Sequence, residues 1–294
     1  MAVGFIGLGI MGGPMAENLL EKGHSLLVYD VEPEAVERAV RAGAKASCLK
    51  EIGEQCRIVF TILPKGDVVK EVLFGKDGVA QGLAEGSIVC DMSSVTPVES
   101  RYCHERLKVQ GAGFVDAPVS GGEPGARMGT LAFMAGGEEE DLERLRPYLE
   151  VMGSSVLLVG GSGSGSVAKL ANQIIVNNTI AVVSEAFVFA VKAGADPLKV
   201  YQAIRGGLAG SAVLEAKLPM ILEREFAPGG KISINHKDIR NVLDTAHALD
   251  VPVPYSAQLF EILQCLKVYG HMDEDHGGIV QYFEGLADVT VEKT

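Results

Sequence analysis

The sequence predicts an α/β protein with an N-terminal Rossmann-type domain, a doubly wound and mostly parallel sheet, followed by an all-helical C-terminal domain. Three observations carry this. In the first half, short β-rich runs alternate with amphipathic helical stretches, the pattern of successive βαβ units. After residue 166 the β-rich runs stop and helical periodicity takes over. A glycine-rich turn sits between the first strand and the first helix.

The strand runs are VGFIG (3–7), LLVYD (26–30), IVFTIL (58–63), SIVCD (87–91), GFVDA (113–117), LAFMA (131–135) and VLLVG (156–160). Most are rich in β-branched or aromatic residues, and turn formers flank them. Helical stretches such as PEAVERAVRAG and PVESRYCHERLKVQG begin on proline and stop at or near glycine. The boundary falls at the glycine–serine stretch, giving domains 1–162 and 163–294. So short a stretch reads as a hinge or helix lead-in rather than a long tether. The apolar run that follows is long enough to span a bilayer. Lys169, Glu185 and several carboxamides interrupt it, so a buried core helix is the expectation.

Composition narrows the function classes. The 294 residues are 47% hydrophobic and 22% charged, with a formal charge of −12 and no basic block. Nucleic acid and anionic membrane surfaces are therefore not expected partners. Five scattered cysteines without a C-x-x-C pair fit reduced thiols in a cytoplasm. The opening MAVGFIGLGI lacks the basic region of a signal peptide. No H-E-x-x-H or G-x-S-x-G occurs, and HMDEDHGG reads as a solvated loop, so no metal is expected.

Gly7-Leu8-Gly9-Ile10-Met11-Gly12 is a G-x-G-x-x-G turn in the right context, after a strand and before a helix. Gly7 permits the tight turn, Gly9 lets backbone approach a pyrophosphate, and Gly12 allows close helix–strand packing. The helix N-terminus beyond offers N–H groups to phosphate. Asp30, at the end of the second strand run, has the spacing of an acid that grips ribose hydroxyls. VEPE follows with no cation before Arg38, which predicts NAD(H) over NADP(H).

Ligands in such sheets sit beyond the carboxyl ends of the strands. There the sequence places Leu63-Pro64-Lys65, then Ser93, Ser94 and Thr96, then Ser120, Gly121 and Gly122. These small, hydrogen-bonding residues suit a nicotinamide ribose or a substrate carboxylate, and Ser120-Gly121-Gly122 suits an anion nest. Lys169, Asn172 and Gln173 then share one helix face at i, i+3 and i+4, extended by Asn177. An ammonium there can protonate the alkoxide formed when hydride reaches a carbonyl carbon, and carboxamides can position the oxygen.

GFIGLGIMGGPMAENL, DAPVSGGEPGARMGTL, GSVAKLANQ and HKDIRNVLD closely resemble the β-hydroxyacid dehydrogenase family, which includes 3-hydroxyisobutyrate and 6-phosphogluconate dehydrogenases. The resemblance spans nearly the whole chain. It implies a cofactor of the NAD type and a small carboxylate-bearing aldehyde or hydroxyacid as substrate. It also implies Lys169 as the catalytic group, Ser120, Gly121 and Gly122 as the substrate signature, and Ser94 and Lys237 at the cofactor. Many members carry Asn four residues after the lysine. This chain has Gln173 there, preceded by Asn172, and either carboxamide can meet the substrate. SGGEPGA and QAIRGGLAGS look most like members that reduce tartronate semialdehyde to D-glycerate; a 3-hydroxyisobutyrate dehydrogenase is the alternative. A nucleotide-binding module without activity is the reading from another class, against which the retained Lys169 argues. The apolar helical half predicts a homodimer or homotetramer.

Overall fold

A computed structural model describes residues 2–227 and 229–293, and the chain divides into two compact units between Lys169 and Leu170. The first unit contains nine strands among the described residues. They are β1 (Val3–Ile6), β2 (Leu26–Tyr29), β3 (Lys45–Ala46), β4 (Ile58–Thr61), β5 (Ile88–Asp91), β6 (Gly113–Asp116), β7 (Val119–Ser120), β8 (Leu131–Gly136) and β9 (Gly153–Gly160). Their order is β3-β2-β1-β4-β5-β6-β8, with β7 and β9 also paired to β8. Strands β1 to β6 are parallel. β8 runs antiparallel to β6 and β7, and β9 runs parallel to β8. All seven expected runs are strands. The two additions, β3 and β7, are only two residues long.

Neighbouring residues on each central strand feed opposite faces. Phe5, Phe60, Cys90 and Val115 pack into one hydrophobic cluster, while Ile6, Val59, Val89 and Phe114 pack into another. Burial on both faces is what a helix-covered parallel sheet demands. Each fully buried aromatic or aliphatic side chain contributes about 1.5–3 kcal/mol. Helix Pro97–Val109 starts on a capping box between Thr96 and Glu99, a feature worth ~1 kcal/mol.

The second unit is helical, built from most of Ser164–Lys192 together with Pro197–Ile204, Ala212–Leu222, Ile232–Ala248, Pro254–Tyr269 and Val280–Ala287. Ile180, Ile232, Ile239 and Leu263 form one cluster and Phe187, Leu214, Leu218 and Val280 another. Helix Ser164–Lys192 has the length and hydropathy of a membrane span. It supplies Ile180 and Phe187 to these cores, as the central helix of a globular unit does.

The long helix begins at Ser164, so half of the glycine–serine stretch is the lead-in of that helix. One local expectation changes. HMDEDHGG is not a solvated loop: Asp275 is fully buried, and Gly277 and Gly278 are buried with it. The Asp275 carboxylate accepts N–H bonds from Gly229, Gly230 and Gly277, and Lys217 Nζ lies 3.0 Å away. Those donors compensate the buried charge, and they come from segments far apart in sequence.

Candidate active site

The four loops that follow β1, β4, β5 and β6 lie side by side, because these strands are consecutive neighbours in the sheet. The sheet order reverses direction between β1 and β4, and ligands of open α/β sheets bind at such a switch point. Gly7 has φ of +96°, and a Cβ on it would meet Ile62 O at 2.2 Å. A Cβ on Gly12 would meet Gly7 O at 1.9 Å, so the helix Gly12–Glu21 is pressed against the turn. Gly9 is different: a Cβ there meets nothing within 4 Å. Its glycine relieves no clash inside the fold, and the space beside it is open. Leu8 is buried in the sheet core, while Ile10 is exposed and Met11 half-buried at the helix start.

Asp30 lies beside this turn. Its carboxylate accepts N–H bonds from Leu8 at 2.5 Å and from Glu32 at 2.9 Å. A cavity of 460 Å³ next to it is lined by Tyr29, Val31, Lys65, Val68 and Val72, walls suited to a flat base. Lys65 is a cation that reading the residues just after Asp30 did not bring into this neighbourhood. It arrives from the loop after β4.

Leu63 donates its N–H to Ser93 Oγ at 2.8 Å, and Ser93 Oγ donates to Asp91. Thr61 Oγ1 also donates to Asp91, at 2.7 Å. This buried knot ties the Leu63-Pro64 loop to the loop that carries Ser94, which is half-buried. Burial raises the Asp91 carboxyl, against the bonds from Ser93 and Thr61. Sequence reasoning noted Ser93 but missed Thr61 and Asp91, whose partners lie 30 residues apart.

Ser120 ends β7 rather than lying in a free turn, and Gly121 and Gly122 follow with φ of +134° and +61°. Helix Gly122–Met128 is held against the glycine-turn helix by Asn18 Nδ2, which donates to Ala126 O at 2.7 Å. Lys169 Nζ donates to Val119 O at 2.9 Å, which places the ammonium at the strand that carries Ser120.

In the second unit, Asn172 Nδ2 donates to Gln173 Oε1 at 2.8 Å, and Gln173 Nε2 donates to the buried Asp238 carboxylate. Lys237 Nζ lies 3.0 Å from the other Asp238 oxygen. Asn172, Gln173, Asp238 and Lys237 thus form one chain of contacts, and Asp238 orients both a carboxamide and an ammonium. Asn177 is buried with neither carboxamide atom hydrogen-bonded. Among the described residues, no group of His, Cys, Asp and Glu is arranged to hold a metal.

The chain belongs to the β-hydroxyacid dehydrogenase family, nicotinamide-dependent oxidoreductases that act on CH–OH groups. Residues 2–161 match the profile of the NAD-binding domain of 6-phosphogluconate dehydrogenase, and residues 163–283 match an NAD-binding domain of NADP-dependent 3-hydroxyisobutyrate dehydrogenase. The 2-hydroxy-3-oxopropionate reductase of Escherichia coli is 42% identical, covering 98% of this chain and 99% of the relative. The 3-sulfolactaldehyde reductase of the same organism is 34% identical over 99% of this chain and 98% of its own. The 3-hydroxyisobutyrate dehydrogenase structure of Mycobacterium tuberculosis with L-serine superposes with a TM-score of 0.88 at 29% identity, covering 95% of this chain and 98% of that one.

Proposed function

We propose that the protein reduces tartronate semialdehyde (2-hydroxy-3-oxopropanoate) to D-glycerate, reversibly, with NADH. The observation that carries this reading is the Lys169 ammonium at Val119 O, one residue before Ser120-Gly121-Gly122. A cation beside a strand end and two N–H groups in left-handed glycine conformations can receive a substrate's carboxylate and its carbonyl oxygen together. NADH bound at the glycine turn supplies the hydride to the aldehyde carbon. Lys169 holds the proton for the oxygen in reduction and takes it back in oxidation. Asn172 or Gln173 orients the substrate oxygen, and Leu63, Pro64, Ser94 and Lys237 border the cofactor. The 42% identity to the Escherichia coli reductase supports the choice of aldehyde.

Asp30 followed by Glu32 and Glu34 supports NADH over NADPH, because a 2′-phosphate would meet carboxylates. Helix Ser164–Lys192 exposes Ile175, Val182 and Phe189 by 68, 61 and 74%. They recur every seven residues, so they share a stripe that a second copy would cover. This supports a homo-oligomer, and the scattered free cysteines support a cytoplasmic location.

The deciding experiment compares initial rates of NADH and NADPH oxidation with tartronate semialdehyde and methylmalonate semialdehyde. A large preference for tartronate semialdehyde with NADH is the expected result. A preference for the methyl-bearing aldehyde would move the activity to 3-hydroxyisobutyrate oxidation, and a preference for NADPH would remove the role given to Asp30.

A further inference from the structure

Asp116 is only 1% exposed, yet it has no part in the chemistry above. It ends β6, and its two oxygens accept separate bonds, one from Gly163 N–H at 2.7 Å and one from Ser166 N–H at 2.8 Å. Both donors lie at the start of helix Ser164–Lys192, where N–H groups lack intrahelical partners. Three residues beyond Ser166 is Lys169. Three residues beyond Asp116 is Val119, whose carbonyl accepts the Lys169 ammonium at 2.9 Å. The carboxylate and the lysine therefore close a ring through two short chain segments.

The backbone is shaped around this clamp. A Cβ on Gly165 would lie 2.2 Å from Met134 O and 2.4 Å from Asp116 O. One on Gly136 would lie 2.6 Å from Gly165 N and 2.8 Å from Asp116 Oδ1. Helix start and sheet edge thus touch backbone to backbone, with no layer of side chains to absorb a shift.

We propose that Asp116 is a positioning residue, fixing the first turn of this helix so that Lys169 stands at the Val119–Gly122 segment. The inference rests on Lys169 being the proton donor. Burial pushes the Asp116 carboxyl up to about 6, while the Gly163 and Ser166 bonds pull it down. Asp91 on β5 adds to the rise, and the neighbouring Cys90 is a thiol that burial keeps protonated. From the other packed elements, Arg101 reaches Ser162 O at 3.4 Å and Lys169 faces the same segment. A charge kept where it costs stability marks a functional demand.

The test is Asp116→Asn in the full chain. One face of the amide presents N–H to an N–H donor, so one arm of the clamp opens. NADH affinity should stay within about twofold of the parent, since the glycine turn is untouched. A lysine misplaced by about 1 Å loses on the order of 100-fold in rate, so kcat should fall by roughly 30- to 100-fold. The parent's kcat should decline as pH falls through about 6, and that decline should be absent in the variant. A purely structural Asp116 would leave that limb in place. A variant that binds NADH and keeps parental kcat overturns the proposal. Should Asp116→Asn not fold, Ser166→Pro removes one N–H donor in a first turn that tolerates proline. Ser166→Ala is its control, because both also lose the Ser166 hydroxyl bonded to Ser100 at 2.8 Å. Against that control, Ser166→Pro should show the same kcat loss with NADH affinity kept, and parental kcat there would equally overturn the proposal. Lys169→Ala, run alongside, separates the two ideas. An active Lys169→Ala refutes the proton-donor reading, whereas an inactive one beside an active Asp116→Asn refutes only this inference.

Discussion

Gly9→Ala separates the needs of the fold from those of the cofactor. A Cβ at Gly9 meets no atom within 4 Å, and Gly9 is not among the glycines with positive φ. The substitution is therefore unstrained in the protein alone, and the lower chain entropy of alanine should stabilise it by about 0.4–1 kcal/mol. For a chain of this size that raises Tm by roughly 1–4 °C. On the proposed reading, the same methyl group enters the space a pyrophosphate needs. Overfilling a close-packed contact costs about 1–3 kcal/mol, which is roughly a 5- to 150-fold weaker Kd for NADH. Gly12→Ala is the control in the other direction. Its Cβ would sit 1.9 Å from Gly7 O, a backbone atom, so that variant should lose stability first. The assays are calorimetric Tm and NADH fluorescence titration on the same preparations. Parental NADH affinity in Gly9→Ala, or a fall in its Tm, would refute that reading.

Other perturbations have equally defined outcomes. Lys169→Ala should lower kcat by about 10²–10⁴-fold with NADH affinity unchanged, the range for a lost general acid; single-turnover kinetics measures it directly. His276 is pushed down to about 4, first by burial and then by Lys217, from an ordinary value of 6.5. Its neutral form is thus favoured in the folded chain, so the associated stability is present above pH 6.5 and is lost as pH falls toward 4. At pH 5 the loss is about 2 kcal/mol, and His276→Asn should narrow the Tm gap between pH 7 and pH 5 by several degrees. Val182→Glu puts a charge into the exposed Ile175–Phe189 stripe and should shift sedimentation toward monomer. A parent that already sediments as a monomer removes the stripe's proposed role.

Much of the fold was legible because strands with buried faces advertise themselves. Phe5 and Ile6 or Val59 and Phe60 are apolar on both faces, and that pattern survives any loop between them. Two-residue strands carry no such pattern: Lys45 and Ala46 are both exposed, and Val119–Ser120 becomes a strand only through β8. The site divides the same way. The glycine turn and the spacing from Lys169 to Gln173 are local patterns, visible in the sequence as candidates. Asp116 gains its meaning from Gly163 and Ser166, 47 and 50 residues away, and Asp275 from Gly229 and Gly230, more than 40 away. Nothing in the residues around either acid signals those donors. For the same reason the glycine–serine stretch, read as a hinge or a helix lead-in, is decided by a distant carboxylate, which accepts N–H bonds from Gly163 and Ser166 at the helix start.

Asp30 has two jobs that an engineer would wish to keep apart. The carboxylate proposed to read the ribose also holds the Leu8 N–H inside the glycine turn and the Glu32 N–H beyond it. Replacing it by arginine or alanine to admit NADPH would remove an acceptor from the turn that receives either cofactor's phosphates. The useful substitution is the neutral isostere asparagine, which drops the charge and keeps an acceptor of the same reach for Leu8. Lys65 lines the adjoining recess, but so do Asp67, Glu71 and Asp77, so a second change that removes an acid would be needed beside the added phosphate. On the proposed reading, cofactor preference is coupled through Asp30 to the geometry of the glycine turn.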